Sequence, residues 1–118
     1  MIDTRSLDAG DIVWIDFGDP VGHEQGGRRP AFVLSPSSYN RQSSLMLVCP
    51  ITRSEMPWPF KVPLGGAAGL AGFVLADQVH TIDPAQRVRR VAGRAAPETI
   101  AQVRTRLLPL IAEADPQS

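Results

Sequence analysis

The sequence holds one cysteine, Cys49, and two histidines, His23 and His80, in 118 residues. A lone cysteine excludes an internal disulfide, and its place in the apolar run 45–51 suits a buried reduced thiol better than a nucleophile. The histidines stand far apart, without H-E-x-x-H or Cys/His ligand spacing, so no metal site and no cofactor is expected. Glycine loops of the P-loop and dinucleotide type are missing, and so is the G-x-S-x-G nucleophile turn. No apolar run reaches the ~18 residues that would span a membrane. Residues 1–10 lack the charged-then-apolar layout of an export signal, so a cytoplasmic location is expected. Aromatic residues make up only 6% and the formal net charge is zero, which argues against a general nucleic-acid coat.

What is present suits one globular domain over residues 1–118. The hydrophobic fraction of 43% is ordinary, and a chain of this length closes one core without staples. Charge is unevenly spread. Residues 1–20 carry five aspartates against Arg5, and residues 21–62 carry Arg28, Arg29, Arg41, Arg53 and Lys61 against Glu24 and Glu55. Eleven of the twelve basic residues are arginine, the side chain whose planar fork suits bidentate phosphate recognition.

Short apolar runs separated by Gly, Pro, Asn and Ser occupy the chain to about residue 94, the pattern of a small all-β barrel or sandwich. Strands are expected at 12–17, 29–35, 45–52, 60–64, 73–82 and 88–91. The run 45–52 is apolar on both faces and should be central. Pro30 should lie at a strand start or edge, and 36–40 reads as a turn. Residues 18–27 hold four glycines and read as a long functional loop. From Pro97 the period changes: Ile100, Val103, Leu107 and Leu110 recur at helical spacing, with Pro97 and Glu98 fitting a first turn. Pro109 should kink or end that helix, because it removes the bond to the Thr105 carbonyl. Five or six strands and one C-terminal helix result.

The polar residues bordering these runs are Glu24, Gln25, Arg28, Arg29, Thr52, Arg53, Asp77 and Gln78. A carboxylate, a guanidinium and a hydroxyl suit phosphoryl chemistry on RNA without a metal. A base takes the 2′-hydroxyl proton, an acid protonates the leaving 5′ oxygen, and a cation stabilises the phosphorane. By composition alone such residues are found in any soluble domain. Arg29 reads equally as a strand-edge arginine and Thr52 as a β-former at a strand end.

The segments Gly10-Asp11-Ile12-Val13-Trp14-Ile15-Asp16-Phe17, Gly22-His23-Glu24-Gln25-Gly26-Gly27-Arg28-Arg29-Pro30-Ala31-Phe32-Val33-Leu34-Ser35, Tyr39-Asn40, Pro50-Ile51-Thr52, Pro59-Phe60-Lys61-Val62 and Val74-Leu75-Ala76-Asp77-Gln78-Val79 together resemble the MazF/PemK family of toxin endoribonucleases. The resemblance covers about residues 8–112. It implies a mainly β fold, an SH3-like β-barrel of five to six strands with room for a seventh, and a C-terminal α-helix. It also implies sequence-specific, metal-independent cleavage of single-stranded RNA, mainly mRNA, by a homodimer, leaving 2′,3′-cyclic phosphate and 5′-hydroxyl ends. A cognate acidic, MazE-like antitoxin should block the RNA channel, and the toxin–antitoxin complex should bind its operator DNA through the antitoxin.

Carried over position by position, the resemblance makes Arg29 and Thr52 catalytic and brings in Glu24 as the candidate general base. Gln25, Arg28, Arg53, Asp77 and Gln78 are candidate RNA-binding residues. His23 competes with Glu24, or a water, for the role of base. Trp14 and Phe17 read as core or dimer contacts rather than base-stacking platforms. Many relatives have a lysine in the loop after Thr52; here Arg53-Ser54-Glu55-Met56-Pro57-Trp58 has none. Two other functions stay open beside the ribonuclease: a CcdB-like gyrase-poisoning toxin, against which the ending Ala114-Asp115-Pro116-Gln117-Ser118 argues, and a non-catalytic SH3-like interaction module.

Overall fold

Among the described residues, seven strands and a C-terminal helix carry the expected architecture, with two short helices beside them. The computed structural model describes residues 3–19, 22 and 27–112. The strands are β1 (Asp11–Asp16), β2 (Arg28–Val33), β3 (Met46–Thr52), β4 (Lys61–Pro63), β5 (Phe73–Leu75), β6 (His80–Ile82) and β7 (Val88–Arg94). The helices are α1 (Ser37–Gln42), α2 (Pro84–Arg87) and α3 (Pro97–Ile111). The ladder runs β4-β5-β3-β2-β1-β7, all antiparallel, with β6 also paired to β3. It does not close, because its end strands β4 and β7 are not paired with each other. The turn at Ala67–Gly69, between β4 and β5, packs onto β7 instead. Gly93 permits this contact, since a Cβ there would lie 2.8 Å from Ala68 Cβ.

The central strands are apolar on both faces because the sheet has a core on each side. Alternation along β1 to β3 sends Ile12, Phe32, Cys49 and Ile51 to one cluster, joined by Val62, Val74 and Val103 of α3. It sends Val13, Ile15, Ala31, Val33 and Val48 to the other, joined by Leu7, Ile82 and Val88. β3 is central as expected, flanked by β2, β5 and β6. Pro30 is the third residue of β2, inside the strand, but β3 pairs only from Ala31 onward. That end of β2 has β1 as its sole neighbour in the ladder, which meets the edge requirement of a residue without an N–H.

Four local expectations are corrected. Residues 36–40 form no simple turn, because Pro36 opens helix α1, whose Asn40 is buried. Its amide donates to the carbonyls of Leu7 and Ser35, and its Oδ1 accepts from the Ser35 hydroxyl. The expected single strand 73–82 is two: the Gln78 N–H turns back to the Leu75 carbonyl at 3.1 Å, and the chain bends at its polar Asp77-Gln78 pair. The last strand runs three residues past the expected Val91, to Arg94, through register shifts against β1. Helix α3 continues past Pro109 to Ile111. The lost bond falls in the final turn, where the Ala112 N–H still reaches the Leu108 carbonyl at 2.8 Å. Thr99, Val103 and Leu107 of α3 are buried, whereas Leu110 is exposed.

Candidate active site

The register of β2 and β3 brings the two leading candidates near each other. The paired stretch of β2 and β3 ends at Ala31 and Pro50, and Arg29 and Thr52 each lie two residues past that pair, on these neighbouring strands. The Arg29 guanidinium bears this out, its Nη1 lying 3.5 Å from the carbonyl oxygen of Ile51, next to Thr52. Both residues line a cleft of ≈ 600 Å³. Trp14, Arg28, Pro30 and Ile51 line it too, together with the rim segments 53–54 after β3 and 69–71 before β5.

Thr52 is buried at the end of β3, and its Oγ1 accepts a hydrogen bond from the Ser54 N–H at 3.1 Å. Its own proton has no acceptor among the described residues, so the hydroxyl can donate into the cleft. Arg29 is half-buried, and desolvation lowers its pKa below the ordinary arginine value; a guanidinium stays charged regardless. Arg28 is largely exposed and faces Asp16, with Nε 3.9 Å from the carboxylate. Arg28, Arg29 and Arg53 are thus brought to one cleft, and no carboxylate is among its described lining residues. A partly desolvated guanidinium beside a donating hydroxyl can hold a phosphoryl oxygen and stabilise added negative charge on it.

Glu24, Gln25 and His23 lie outside the described residues. Asp77 and Gln78 do not line the cleft. Asp77 Oδ2 accepts from the Trp58 indole at 3.0 Å, while its Oδ1 is buried without a described partner. Cys49 is the expected buried thiol, its pKa pushed up to about 12 by burial and then by the Asp77 charge. Among the described residues no three His, Cys, Asp or Glu side chains converge on one point.

Sequence reasoning missed two parts of the site. Trp14, read as core or dimer contact, also lines the cleft, with the Arg90 guanidinium 5.2 Å from its ring centroid. Strand alternation sends Trp14 to the face opposite its buried neighbours Val13 and Ile15. The 69–71 rim comes from a Gly/Ala connection with no chemical signature of its own. The loop after Thr52 has no lysine of its own, but Lys61 of β4 places its ammonium against the carbonyls of Ser54 and Met56 within it.

Residues 8–111 match the profile of the family described as the PemK-like, MazF-like toxin of type II toxin–antitoxin system. The chain is 39% identical over 111 residues to the endoribonuclease toxin MazF of Escherichia coli K12, covering 94% of this chain and 99% of that protein. It is 38% identical over 112 residues to the endoribonuclease toxin ChpB of the same organism, covering 91% and 96%. Crystalline MazF from Deinococcus radiodurans superposes with a TM-score of 0.81 at 40% identity, over 91% of this chain and 97% of that one. A MazE–MazF complex from that organism gives 0.78 at 38% identity, over 92% and 98%. The cleft therefore sits in a chain that belongs to the PemK/MazF family of type II toxin–antitoxin toxins.

Proposed function

We propose that this chain is the toxin of a toxin–antitoxin pair and a sequence-specific endoribonuclease that cuts single-stranded RNA, mainly mRNA, and so halts translation and growth. One observation carries the reading: Arg29 from β2 and Thr52 from β3 meet in a single cleft lined by three arginines. Relatives named as endoribonuclease toxins, MazF and ChpB, favour it over a gyrase-directed toxin or a passive SH3-like module.

The arrangement suits in-line attack of a ribose 2′-hydroxyl on the adjacent phosphorus. Arg29 stabilises the phosphorane, since a permanent cation is a poor proton acceptor but a strong donor to phosphate oxygens. Thr52 Oγ1 donates to a non-bridging oxygen. Glu24 takes the 2′-hydroxyl proton, with His23 or a water as its competitor. The leaving 5′ oxygen takes a proton from the protonated base or from water, so the products carry a 2′,3′-cyclic phosphate and a 5′-hydroxyl, and no step calls for a metal or cofactor. Arg28 and Arg53 hold flanking phosphates, and Gln25, Asp77 and Gln78 contact RNA beyond the scissile step.

The chain acts as one domain over 1–118, as a cytoplasmic homodimer. Its partner is an acidic, MazE-like antitoxin that occupies the same arginine-lined groove, and the pair binds operator DNA through the antitoxin. No described helix is long and apolar enough to cross a membrane. Incubation of the pure protein with a long defined RNA in excess EDTA tests the reading. Discrete fragments with cyclic-phosphate ends are expected; intact RNA at micromolar protein rejects it.

A further inference from the structure

The segment 53–60, which supplies one rim of the cleft, contains no helix or strand, and residues 53–59 are all exposed. An exposed stretch with two prolines has few backbone bonds to hold it, yet side chains tie this one down. Lys61 Nζ donates to the carbonyls of Ser54 at 2.8 Å and Met56 at 2.6 Å, and to Ser54 Oγ at 3.3 Å. The Lys61 backbone N–H donates to the Trp58 carbonyl at 3.1 Å, and the Trp58 indole is held by Asp77. The Arg106 guanidinium of α3 donates to the Pro59 carbonyl.

An ammonium has three protons, and all three Lys61 bonds go to the loop. Ser54 links them to the chemistry, because its N–H is the donor to Thr52 Oγ1. With one lone pair of that hydroxyl engaged, its rotation is restricted and its proton is directed away from the loop.

We infer that Lys61 is a positioning residue for the proposed ribonuclease: by clamping Ser54 it fixes the rotamer of the Thr52 hydroxyl and the cleft rim, without itself touching RNA. The inference rests on the reading of Thr52 as a catalytic hydroxyl. It separates Lys61 from the phosphate-binding role that a lysine near such a cleft would otherwise suggest. A clamp acts on geometry, and a displacement of about 1 Å at a reacting group costs up to ~100-fold in rate. A phosphate ligand acts on binding and on its salt dependence.

The test compares wild type, Lys61→Met and Lys61→Cys on a defined single-site RNA. Lys61→Met is expected to lower kcat about 10- to 100-fold, to change KM by less than about threefold, and to leave the salt slope of RNA binding unaltered. Alkylating Lys61→Cys with bromoethylamine rebuilds an ammonium of lysine length and should restore kcat; iodoacetamide should not. Buried Cys49 is spared by both reagents. Hydrogen exchange, which needs no RNA, should be at least about tenfold faster at the Ser54 amide and the Trp58 indole in Lys61→Met, and return to normal after aminoethylation. If Lys61→Met fails to fold, Lys61→Gln replaces it in both arms. A raised KM with intact kcat and a salt slope reduced by about 0.7 overturns the inference, as does unchanged exchange with unchanged kcat. Wild-type protein that cuts no RNA removes the ribonuclease reading, while the exchange arm still decides whether Lys61 clamps the loop.

Discussion

The α-carbon of Gly72 lies so close to the carbonyl oxygen of Thr52 that a Cβ there would stand 2.6 Å from it. Gly72 also has a φ of +137°, a backbone conformation that side chains disfavour. The approach occurs just before β5 pairs with β3, where Phe73 faces Thr52. Gly72→Ala should therefore push Thr52 and the adjacent 69–71 rim apart. The expected cost is ~1–3 kcal/mol of stability, read by urea titration, with a loss of RNA cleavage larger than the unfolded fraction explains. Wild-type stability together with wild-type cleavage would show that the rim yields without cost.

Arg29 should not tolerate conservative exchange. Its guanidinium reaches across from β2 to the Ile51 carbonyl, a span and fork that an ammonium does not reproduce. Arg29→Ala and Arg29→Lys are both expected to lose on the order of 10²–10³ in kcat, the usual effect of removing one donor to developing charge. Circular dichroism should be unchanged. Cleavage by Arg29→Ala at the wild-type rate would remove this residue from the chemistry.

Much of this was legible in the sequence because it depends on local rules. β1, β2, β3 and β4 fall within two residues of expectation at each end, since their apolar runs are bounded by Gly, Pro and polar residues. The pairing of Arg29 with Thr52 followed from the family resemblance; the residues alone left each with an ordinary structural reading. What was hidden depends on contacts distant in sequence. Helix α1 is secured by Asn40 bonding to Leu7, 33 residues away, and Pro109 is tolerated because α3 ends two residues later. Lys61 reads as one polar position in a short strand until the chain folds its ammonium back under Ser54.

The Cys49 thiol gives a pH-dependent signature. Burial, and secondarily the Asp77 charge, push its pKa up to about 12 from the ordinary 9.0. The folded state keeps its proton at pH values where the unfolded state has lost it. Its contribution to stability is therefore full below about pH 9 and is lost as pH rises toward about 12. Unfolding titrations should show stability falling more steeply between pH 9 and 11 in wild type than in Cys49→Ala. Iodoacetamide at pH 8 should leave the folded thiol unmodified and label it fully in guanidinium. Rapid labelling of the folded protein would contradict the buried placement.

RNA binding should be salt-dependent to a degree set by the cleft. Arg28, Arg29 and Arg53 line it, and single-stranded nucleic acid loses about 0.7 in log–log slope per neutralised phosphate. Three contacts give a slope of about −2, and Arg53→Gln should bring it to about −1.4. The proposed acidic antitoxin would displace RNA from the same arginines, so its affinity should weaken with salt in parallel and fall in the same variant. Fluorescence anisotropy on a non-cleavable 2′-deoxy oligonucleotide between 50 and 300 mM salt measures the first slope, and competition by the antitoxin's acidic segment measures the second. A slope near zero for either ligand would place it on some other face, because a cleft lined by three cations cannot bind a polyanion without releasing the counterions that polyanion carries.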